Sequence, residues 1–535
     1  LLFVTFTFDI VPPILNRGIQ PATFPKALLI LIIFLTLFIY YLSINNPWKK
    51  EKKLPTSFYI TLFSFILFFI ISKFLDFFLG ISAFTLSLFC PIPHGMTPEM
   101  LYTLGLALLM ITWWICEVVP LAVTSCLPLI LCPFLQLSSF KNIAVSYAHP
   151  VIFLLLGGFM LGVAVQSSGL HKRLMLALLS ILGNSPRLHV AGVMLVTVFF
   201  SCWISNSATV ILLLPIVVGM IEIYQASYML KTTLLLALMY AANIGGMTTL
   251  IGTPPNAFVV GFLNDHYGVS VSFLDWFWIS IPLVLLLSVV VWCWLCFFRG
   301  DLGGHFLPHV EESITSERRA LGCMTQAEKT LSVVLLFTIL AWFLRPAINR
   351  MFLLSVSDAG IAMLAASSLF LLPGGSRAGV HQRLLDWDKA REIPWGVLLL
   401  VGGGFALAKT LQSSGLTLWL ADYLMFLSSV PWFFILLLSV LSIVVLTEVN
   451  SNTATTMTFV PLLALLAVKL HIPVEQLVLP AAYAASCAFM LPVATPTNAI
   501  VYSSEQINRG FITDNKGEKI ETVVLGKALS LLKKH

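Results

Sequence analysis

Charged side chains are scarce in this sequence. Asp, Glu, Lys and Arg make up 10% of the 535 residues, whereas a soluble domain carries about 25%. A chain with so few charges could not cover a water-facing surface of this size. Apolar residues contribute 59%, which excludes a soluble globular fold and predicts that lipid is the solvent for most of the chain.

The sequence also lacks the residue patterns of several function classes. Its nine cysteines form no disulfide framework, because most of them fall inside apolar segments, and we interpret them as free thiols. No basic patch is interleaved with aromatic residues, so a nucleic-acid partner is not predicted. The apolar segments contain no HExxH, GxSxG or paired Asp motif, so neither an enzyme nor a transition-metal site is predicted.

Apolar runs long enough to cross a bilayer, roughly 17–25 residues each, recur along the whole sequence. They predict an all-α, multi-pass integral membrane protein with about eleven transmembrane helices, three of them long enough to be broken. We place the passes at about 26–45, 57–80, 100–117, 119–136, 190–223, 232–262, 276–298, 329–346, 353–373, 431–466 and 476–501.

An internal repeat is visible in the sequence. The stretch LLLGGFMLGVAVQSSGL ends at Leu170, and LLLVGGGFALAKTLQSSGL ends at Leu416, 246 residues later. The same offset relates Ser205-Asn206-Ser207-Ala208-Thr209 to Ser451-Asn452-Thr453-Ala454-Thr455. Chance could not hold one register over such blocks, so we predict two structural repeats.

The number of passes decides how the repeats face. Five passes plus a non-crossing hairpin in each repeat would start the second repeat on the opposite side, which predicts inverted repeats with a binding site near the midplane. The predicted regions are an N-terminal segment with the first pass (1–54), a first repeat region (55–298), a polar connecting loop (299–328), a second repeat region (329–505) and a polar C-terminal tail (506–535).

Two Ser-Asn motifs, residues 205–207 and 451–453, lie in the middle of apolar passes. Irregular polar backbone at membrane depth must be buried in protein or line a wet cavity, so each motif predicts the unwound tip of a broken helix. Carbonyl and side-chain oxygens there suit Na⁺, and amides at a helix start suit an anion. Neither motif contains Lys or Arg, which predicts that cation and anion bind cooperatively. The alternative is that these residues only join helices together.

A second loop accompanies each Ser-Asn motif. Gly252-Thr253-Pro254-Pro255-Asn256-Ala257 and Ala494-Thr495-Pro496-Thr497-Asn498-Ala499 are related by an offset of 242 residues. Gly252 and Ala494 are small enough for backbone carbonyls to approach an ion, so we expect each loop to close one sodium site against its own tip.

Two apolar stretches, near 150–169 and 394–414, contain Gly-Gly and look too short and too interrupted for ordinary passes. We predict a re-entrant hairpin at each; the alternative is a pass kinked by glycine. Two carboxylates also lie at membrane depth, Glu117 and Glu448. Glu117 is interpreted as structural, whereas Glu448 could equally be structural or tune the second sodium site.

On these motifs the sequence resembles the divalent anion/sodium symporter family, the sodium-coupled dicarboxylate, citrate and sulfate transporters. The resemblance covers about residues 97–505. It implies a homodimer in which a transport part of each protomer slides as a rigid body against a scaffold part, an elevator mechanism. It also implies an external C-terminus, whereas the distribution of basic residues favours the opposite orientation.

The resemblance assigns residues to three sites by position. The first sodium site would use Ser201, Ser205, Asn206 and Gly252. The second would use Thr447, Ser451, Asn452 and Ala494. The anion would contact Asn206, Ser207, Thr253, Ser451, Asn452, Thr453, Thr495 and Pro496. Two positions depart from the family pattern: Ser207 stands where threonine is usual and predicts an altered substrate fit, and Thr497 replaces a proline and is expected to matter little.

The resulting hypothesis is a secondary active transporter of the cell membrane that couples sodium ions to a divalent organic anion. A C4-dicarboxylate such as succinate, malate or fumarate is favoured. Na⁺ is the co-transported ion, and no organic cofactor is expected. The alternatives are a sodium-independent exchanger of dicarboxylate against 2-oxoglutarate, and a citrate or sulfate carrier of the same fold.

Overall fold

The computed structural model describes most of the chain: residues 56–181, 185–224, 227–298, 315–353, 355–377, 380–423, 430–492, 494–504, 512–513 and 519–520. The first predicted pass, 26–45, lies outside these residues. Contacts divide the chain into one unit of residues 1–79 with 521–535 and another of residues 80–520. The described residues of the first unit, 56–79, belong to one helix, and the functional residues all lie in the second unit.

The first half of the chain is entirely helical in its described part. Its helices are α1 (Thr56–Phe89), α2 (Pro98–Cys116), α3 (Leu121–Thr124), α4 (Leu127–Phe134), α5 (Phe140–Ala144), a 3-10 helix (Val145–Ala148), α6 (Pro150–Ser168), α7 (Leu170–Leu179), α8 (Pro186–Ser201), α9 (Asn206–Ile223), α10 (Tyr228–Gly246), α11 (Pro254–Tyr267), α12 (Phe273–Cys293) and a π-helix (Trp294–Phe298).

The second half adds two small antiparallel hairpins, which the sequence did not predict. Its elements are α13 (Gln326–Phe352), α14 (Asp358–Leu369), β1 (Pro373–Arg377), β2 (Val380–Arg383), α15 (Trp387–Ala390), α16 (Trp395–Ser413), α17 (Leu416–Tyr423), α18 (Trp432–Thr447), α19 (Asn452–Lys469), α20 (Glu475–Ala485), α21 (Pro496–Ser503), β3 (Ile512–Thr513) and β4 (Lys519–Ile520).

Local sequence explains where many helices start. Ser or Thr precedes several of them and accepts a hydrogen bond from a backbone amide of the first turn, as Thr97 does from Met100 and Ser227 from Leu230. Thr325 and Glu328 form a reciprocal capping box at the start of α13. Proline occupies the first turn of α6, α8 and α11, where its missing N–H has no helical partner to lose.

Eight helical segments of the described part are long and apolar enough to cross a membrane. They are Pro98–Cys116, Phe140–Ser168, Asn206–Ile223, Met229–Gly246, Phe273–Phe298, Gln326–Phe352, Trp395–Ser413 and Asn452–Lys469. Shorter apolar helices are Leu121–Phe134, Pro186–Ser201, Asp358–Leu369 and Trp432–Thr447. The all-helical membrane fold is therefore confirmed, while the count of eleven passes stays a prediction.

Burial identifies the centre of the second unit. In α10, 83% of the membrane-length window is buried inside the protein, against 17% for the segment containing α12 and 22% for α13. Large apolar side chains of α12 and α13, such as Leu286 and Phe337, are exposed and suited to contact with lipid. A polar group on α10 therefore lies among protein atoms.

The prediction of a re-entrant hairpin at each Gly-Gly stretch, 150–169 and 394–414, is wrong. Helices α6 and α16 are each 19 residues long and run without a break through these glycines. The glycines allow close packing: a Cβ on Gly157 would lie 2.7 Å from the backbone carbon of Ala362, and one on Gly403 would lie 2.5 Å from the Ser125 carbonyl oxygen. The backbone first turns at Gly169 and Gly415, which follow the ends of the two helices and have positive φ.

Candidate functional site

Two helix breaks mark the Ser-Asn motifs, as the sequence predicted. Helix α8 ends at Ser201 and α9 begins at Asn206, while α18 ends at Thr447 and α19 begins at Asn452. Both interruptions have the same length and the same place in the repeat. Each leaves the first amides of the following helix without intrahelical acceptors and directs the positive end of that helix dipole at the break.

The same cluster of three oxygens lies at both breaks. In the first half, the Ser201 hydroxyl lies 2.8 Å from Asn206 Oδ1 and 2.6 Å from the Ala242 carbonyl oxygen. A hydroxyl carries one hydrogen and can donate it to only one of these acceptors. Three electron-rich oxygens thus share one proton in a buried setting, an arrangement that a bound cation would relieve.

The second half repeats this geometry with different residues. The Thr447 hydroxyl lies 2.7 Å from Asn452 Oδ1 and 2.7 Å from the Ala485 carbonyl oxygen. Ser201 and Thr447 are both fully buried, whereas the two asparagines are half-buried. The repeat therefore extends from sequence to individual hydrogen bonds.

The Thr-Pro loops are built alike as well. Asn256 Nδ2 donates to the carbonyl oxygens of Gly246 (2.9 Å) and Thr249 (2.8 Å). Asn498 Nδ2 donates to the equivalent carbonyls, those of Ala488 (3.1 Å) and Leu491 (2.9 Å). These asparagines hold the turn that precedes each Thr-Pro loop, which explains why Asn occupies a fixed position in both blocks.

The first loop lies against its own helix break. The Thr249 hydroxyl donates to the Cys202 carbonyl inside the break. A Cβ on Gly246 would lie 2.2 Å from Asn206 Oδ1, and one on Gly252 would lie 2.5 Å from the Gly246 carbonyl oxygen. Glycine at these two positions lets the backbone at Gly246 approach the Asn206 amide and lets the backbone at Gly252 approach Gly246.

The second loop is joined to its break by a carboxylate. Glu448 is 3% exposed, and its carboxylate accepts backbone N–H groups from Phe489 (2.7 Å), Met490 (2.9 Å) and Leu491 (2.8 Å). Three amide donors stabilise the buried charge and fix the loop to the break. Glu117, in contrast, is exposed and ends α2 in a left-handed conformation with φ 45°.

The remaining predicted residues differ in how exposed they are to solvent. Gly252, Thr253, Thr453, Ala494 and Thr495 are buried, and Ser205, Ser207 and Ser451 are half-buried. Ser205 also accepts the Ala208 amide at 3.4 Å and so caps α9. Pro496 is exposed at the start of α21.

Sequence reasoning missed Asn243, which connects the two halves. This fully buried residue of α10 accepts Asn206 Nδ2 at 3.4 Å and the Thr497 hydroxyl at 3.0 Å through its Oδ1. Its Nδ2 donates to the Ala488 carbonyl at 3.3 Å. A sequence signal existed, because an amide side chain inside the apolar stretch Tyr240–Gly246 needs buried partners.

An all-helical membrane fold that gathers buried oxygens at two equivalent helix breaks defines a membrane transport protein. Comparison with known proteins then gives its family. The model for the sodium:sulfate symporter transmembrane region matches residues 71–512. The chain belongs to this family, which confirms the resemblance to the divalent anion/sodium symporters and places it among multi-pass transporters rather than enzymes.

Individual relatives are similar over most of their length. The sodium-dependent dicarboxylate transporter SdcS of Staphylococcus aureus strain MRSA252 is 36% identical over 487 residues, which cover 88% of this chain and 89% of the relative. The protein of the same name from Staphylococcus saprophyticus is 36% identical over 446 residues, covering 80% of this chain and 85% of the relative.

Proposed function

We propose that this protein is a secondary active transporter that couples sodium ions to the movement of a C4-dicarboxylate such as succinate, malate or fumarate. One observation carries the proposal: at each helix break, three oxygens from buried or half-buried residues share a single proton. Relatives that cover most of the chain are named sodium-dependent dicarboxylate transporters, which supports both the ion and the substrate class.

The two oxygen clusters are the proposed cation sites. The first site uses Ser201, Ser205, Asn206 and Gly252, and the second uses Thr447, Ser451, Asn452 and Ala494. Hydroxyl, amide and carbonyl oxygens are the hard donors that Na⁺ prefers. The hydroxyls of Ser201 and Thr447 then turn their hydrogens to one acceptor, which leaves the other oxygens free for the ion.

The anion is proposed to bind where the two breaks present helix N-termini. It would contact Asn206, Ser207, Thr253, Ser451, Asn452, Thr453, Thr495 and Pro496. None of these residues carries a positive charge, so amides, hydroxyls and the bound sodium ions must offset the charge of the dicarboxylate. The substrate affinity should therefore rise with sodium concentration.

The architecture proposed for this activity is two inverted repeats, in regions 55–298 and 329–505. They are joined by 299–328 and flanked by 1–54, which holds the first predicted pass, and by 506–535. Helix α9 of the first half packs against α21 of the second, and α11 packs against α19, so each half contributes to both sides of the site. An elevator motion of a homodimer in the cell membrane completes the proposal.

Transport by purified protein in liposomes tests the proposed function. Uptake of labelled succinate, citrate and sulfate is compared with sodium present outside and with sodium replaced by choline. We expect succinate uptake that needs the sodium gradient and is electrogenic. Uptake that is unchanged in choline identifies an exchanger, and a preference for sulfate or citrate corrects the substrate class.

Two substitutions test the oxygen clusters. Ser201→Ala and Thr447→Val each remove the shared hydroxyl and should raise the sodium concentration for half-maximal uptake about tenfold. Thr197→Val and Ser439→Ala are the matched controls, because within the described part of the chain these hydroxyls bond the carbonyls of Val193 and Ile435 in their own helices. An equal effect of the controls would mean that the hydroxyls act only on packing.

A further inference from the structure

Asn243 occupies a position that no residue of the second half reproduces. Ala242 and Ala485 are equivalent, since their carbonyls face Ser201 and Thr447 in the same way. The residue equivalent to Asn243 is therefore Ser486, whose hydroxyl bonds the Ala482 carbonyl of its own helix at 3.4 Å. The link through Asn243 is thus a unique feature of the first half rather than part of the repeat.

The orientation of the Asn243 amide is determined by its surroundings. The Ala488 carbonyl can only accept a hydrogen bond, so the NH₂ group of Asn243 must face it. The Oδ1 of Asn243 consequently faces Asn206 and Thr497. An acceptor at this place draws the NH₂ group of Asn206 towards α10.

The orientation of Asn206 follows from that of Asn243. With its NH₂ group held by Asn243, Asn206 directs Oδ1 to the opposite side, where it lies 2.8 Å from the Ser201 hydroxyl. A flipped Asn206 amide would present hydrogens to the proposed cation and could not ligate it. Asn243 therefore controls whether the first oxygen cluster can accept a positive ion.

Thr497 connects this control to the second half. Its hydroxyl lies 3.0 Å from Asn243 Oδ1 and 2.5 Å from the hydroxyl of Thr495, a proposed anion contact. Proline, the residue that the family pattern places here, has no hydroxyl and could make neither contact. The expectation that this departure matters little therefore overlooks a hydrogen bond between the two halves.

We propose that Asn243 and Thr497 form a cross-repeat positioning pair, which orients the Asn206 amide for cation binding and couples the first cation site to the anion-facing Thr495. The pair rests on the proposed function, since it deepens how sodium and dicarboxylate assist each other. When the cation fixes Asn206, the hydrogen bonds through Asn243 hold Thr497 and Thr495 in place for the anion, and the reverse holds by linkage.

The test measures the coupling itself in the full-length protein. Succinate affinity is determined at low and at saturating sodium, and the ratio of the two values gives the coupling factor. Thr497→Val keeps the β-branched shape and removes the hydroxyl; a neutral hydrogen bond is equivalent to about a fivefold change in an equilibrium constant. We expect the coupling factor to fall about fivefold in Thr497→Val and further in Asn243→Ala.

Ser486→Ala is the control matched to Asn243→Ala, because it removes the polar group at the equivalent position of the second half, where the hydroxyl bonds its own helix, and its coupling factor should equal that of the unchanged protein. A merely structural role of Thr497 would reduce the amount of folded protein and leave the ratio unaltered; that result overturns the proposal. If Asn243→Ala fails to fold, Thr497→Val still decides. Absence of sodium dependence in the unchanged protein would instead refute the proposed function and is recognised before any variant is measured.

Discussion

Gly246→Ala should weaken sodium binding more strongly than its size suggests. The added methyl carbon would lie 2.2 Å from Asn206 Oδ1, whereas ordinary contact begins at about 3.4 Å, so the amide oxygen must move by about 1.2 Å. Gly246 is the last residue of α10, where alanine is the better helix former. A loss of function would therefore come from the displaced amide and not from the backbone.

The expected magnitude follows from the loss of one ligand. A contact between a polar group and a charge contributes about 1.5–3 kcal/mol, so displacement of Asn206 Oδ1 should raise the sodium concentration for half-maximal succinate uptake about 10- to 100-fold. Sodium titrations in liposomes measure this shift, and sodium-dependent thermal protection in detergent gives a second readout.

Gly219→Ala provides the control for this substitution. Gly219 lies in α9, the helix that begins with Asn206, and a Cβ there would meet nothing within 4 Å. This variant should transport with unchanged sodium dependence and be slightly more stable. If Gly246→Ala also keeps the original sodium dependence, the assignment of Asn206 Oδ1 as a cation ligand is refuted.

Three further results are expected. Gly403→Ala, whose methyl would lie 2.5 Å from the Ser125 carbonyl oxygen, should lower stability by about 1–3 kcal/mol in thermal unfolding, unlike Gly219→Ala. Arg173→Ala removes the guanidinium that lies 2.9 Å from the 4%-exposed Glu328 carboxylate and leaves that carboxylate with the Thr325 amide, so it should lower the free energy of unfolding by about 3 kcal/mol, with faster trypsin cleavage within the predicted connecting loop 299–328. His266 lies beyond the predicted pass 232–262, and burial lowers its pKa. The unfolded chain therefore binds a proton more readily, and the free energy of unfolding should decrease as the pH falls below about 6.5. His266→Gln should make the free energy of unfolding less dependent on pH in this range.

The repeat made the core of the site predictable from sequence. A fixed offset placed two Ser-Asn motifs in apolar surroundings, and backbone that leaves a helix at membrane depth needs internal partners. The structure accordingly breaks both helices between equivalent residues, Ser201 to Asn206 and Thr447 to Asn452. These features depend on neighbours close in sequence, so local pattern was enough to find them.

The Gly-Gly segments show where local pattern fails. Glycine lowers helix propensity by about 1 kcal/mol, which favoured an interruption near 157–158 and 403–404. The structure keeps both helices intact, because a missing side chain also lets Ala362 and Ser125 approach the helix backbone. Propensity cannot distinguish these two uses of glycine, since the deciding atoms lie far away in the chain.

The parts of the site that differ between the halves were hidden for a related reason. A repeat predicts what its copies share, yet the first loop is tied to its break by the Thr249 hydroxyl and the second by the Glu448 carboxylate. Asn243 has no equivalent amide, because Ser486 takes its place. This connection between the halves therefore comes from a residue that breaks their symmetry. Polar residues without a repeat partner, buried in an apolar pass, are therefore the positions where coupling between the halves should be sought.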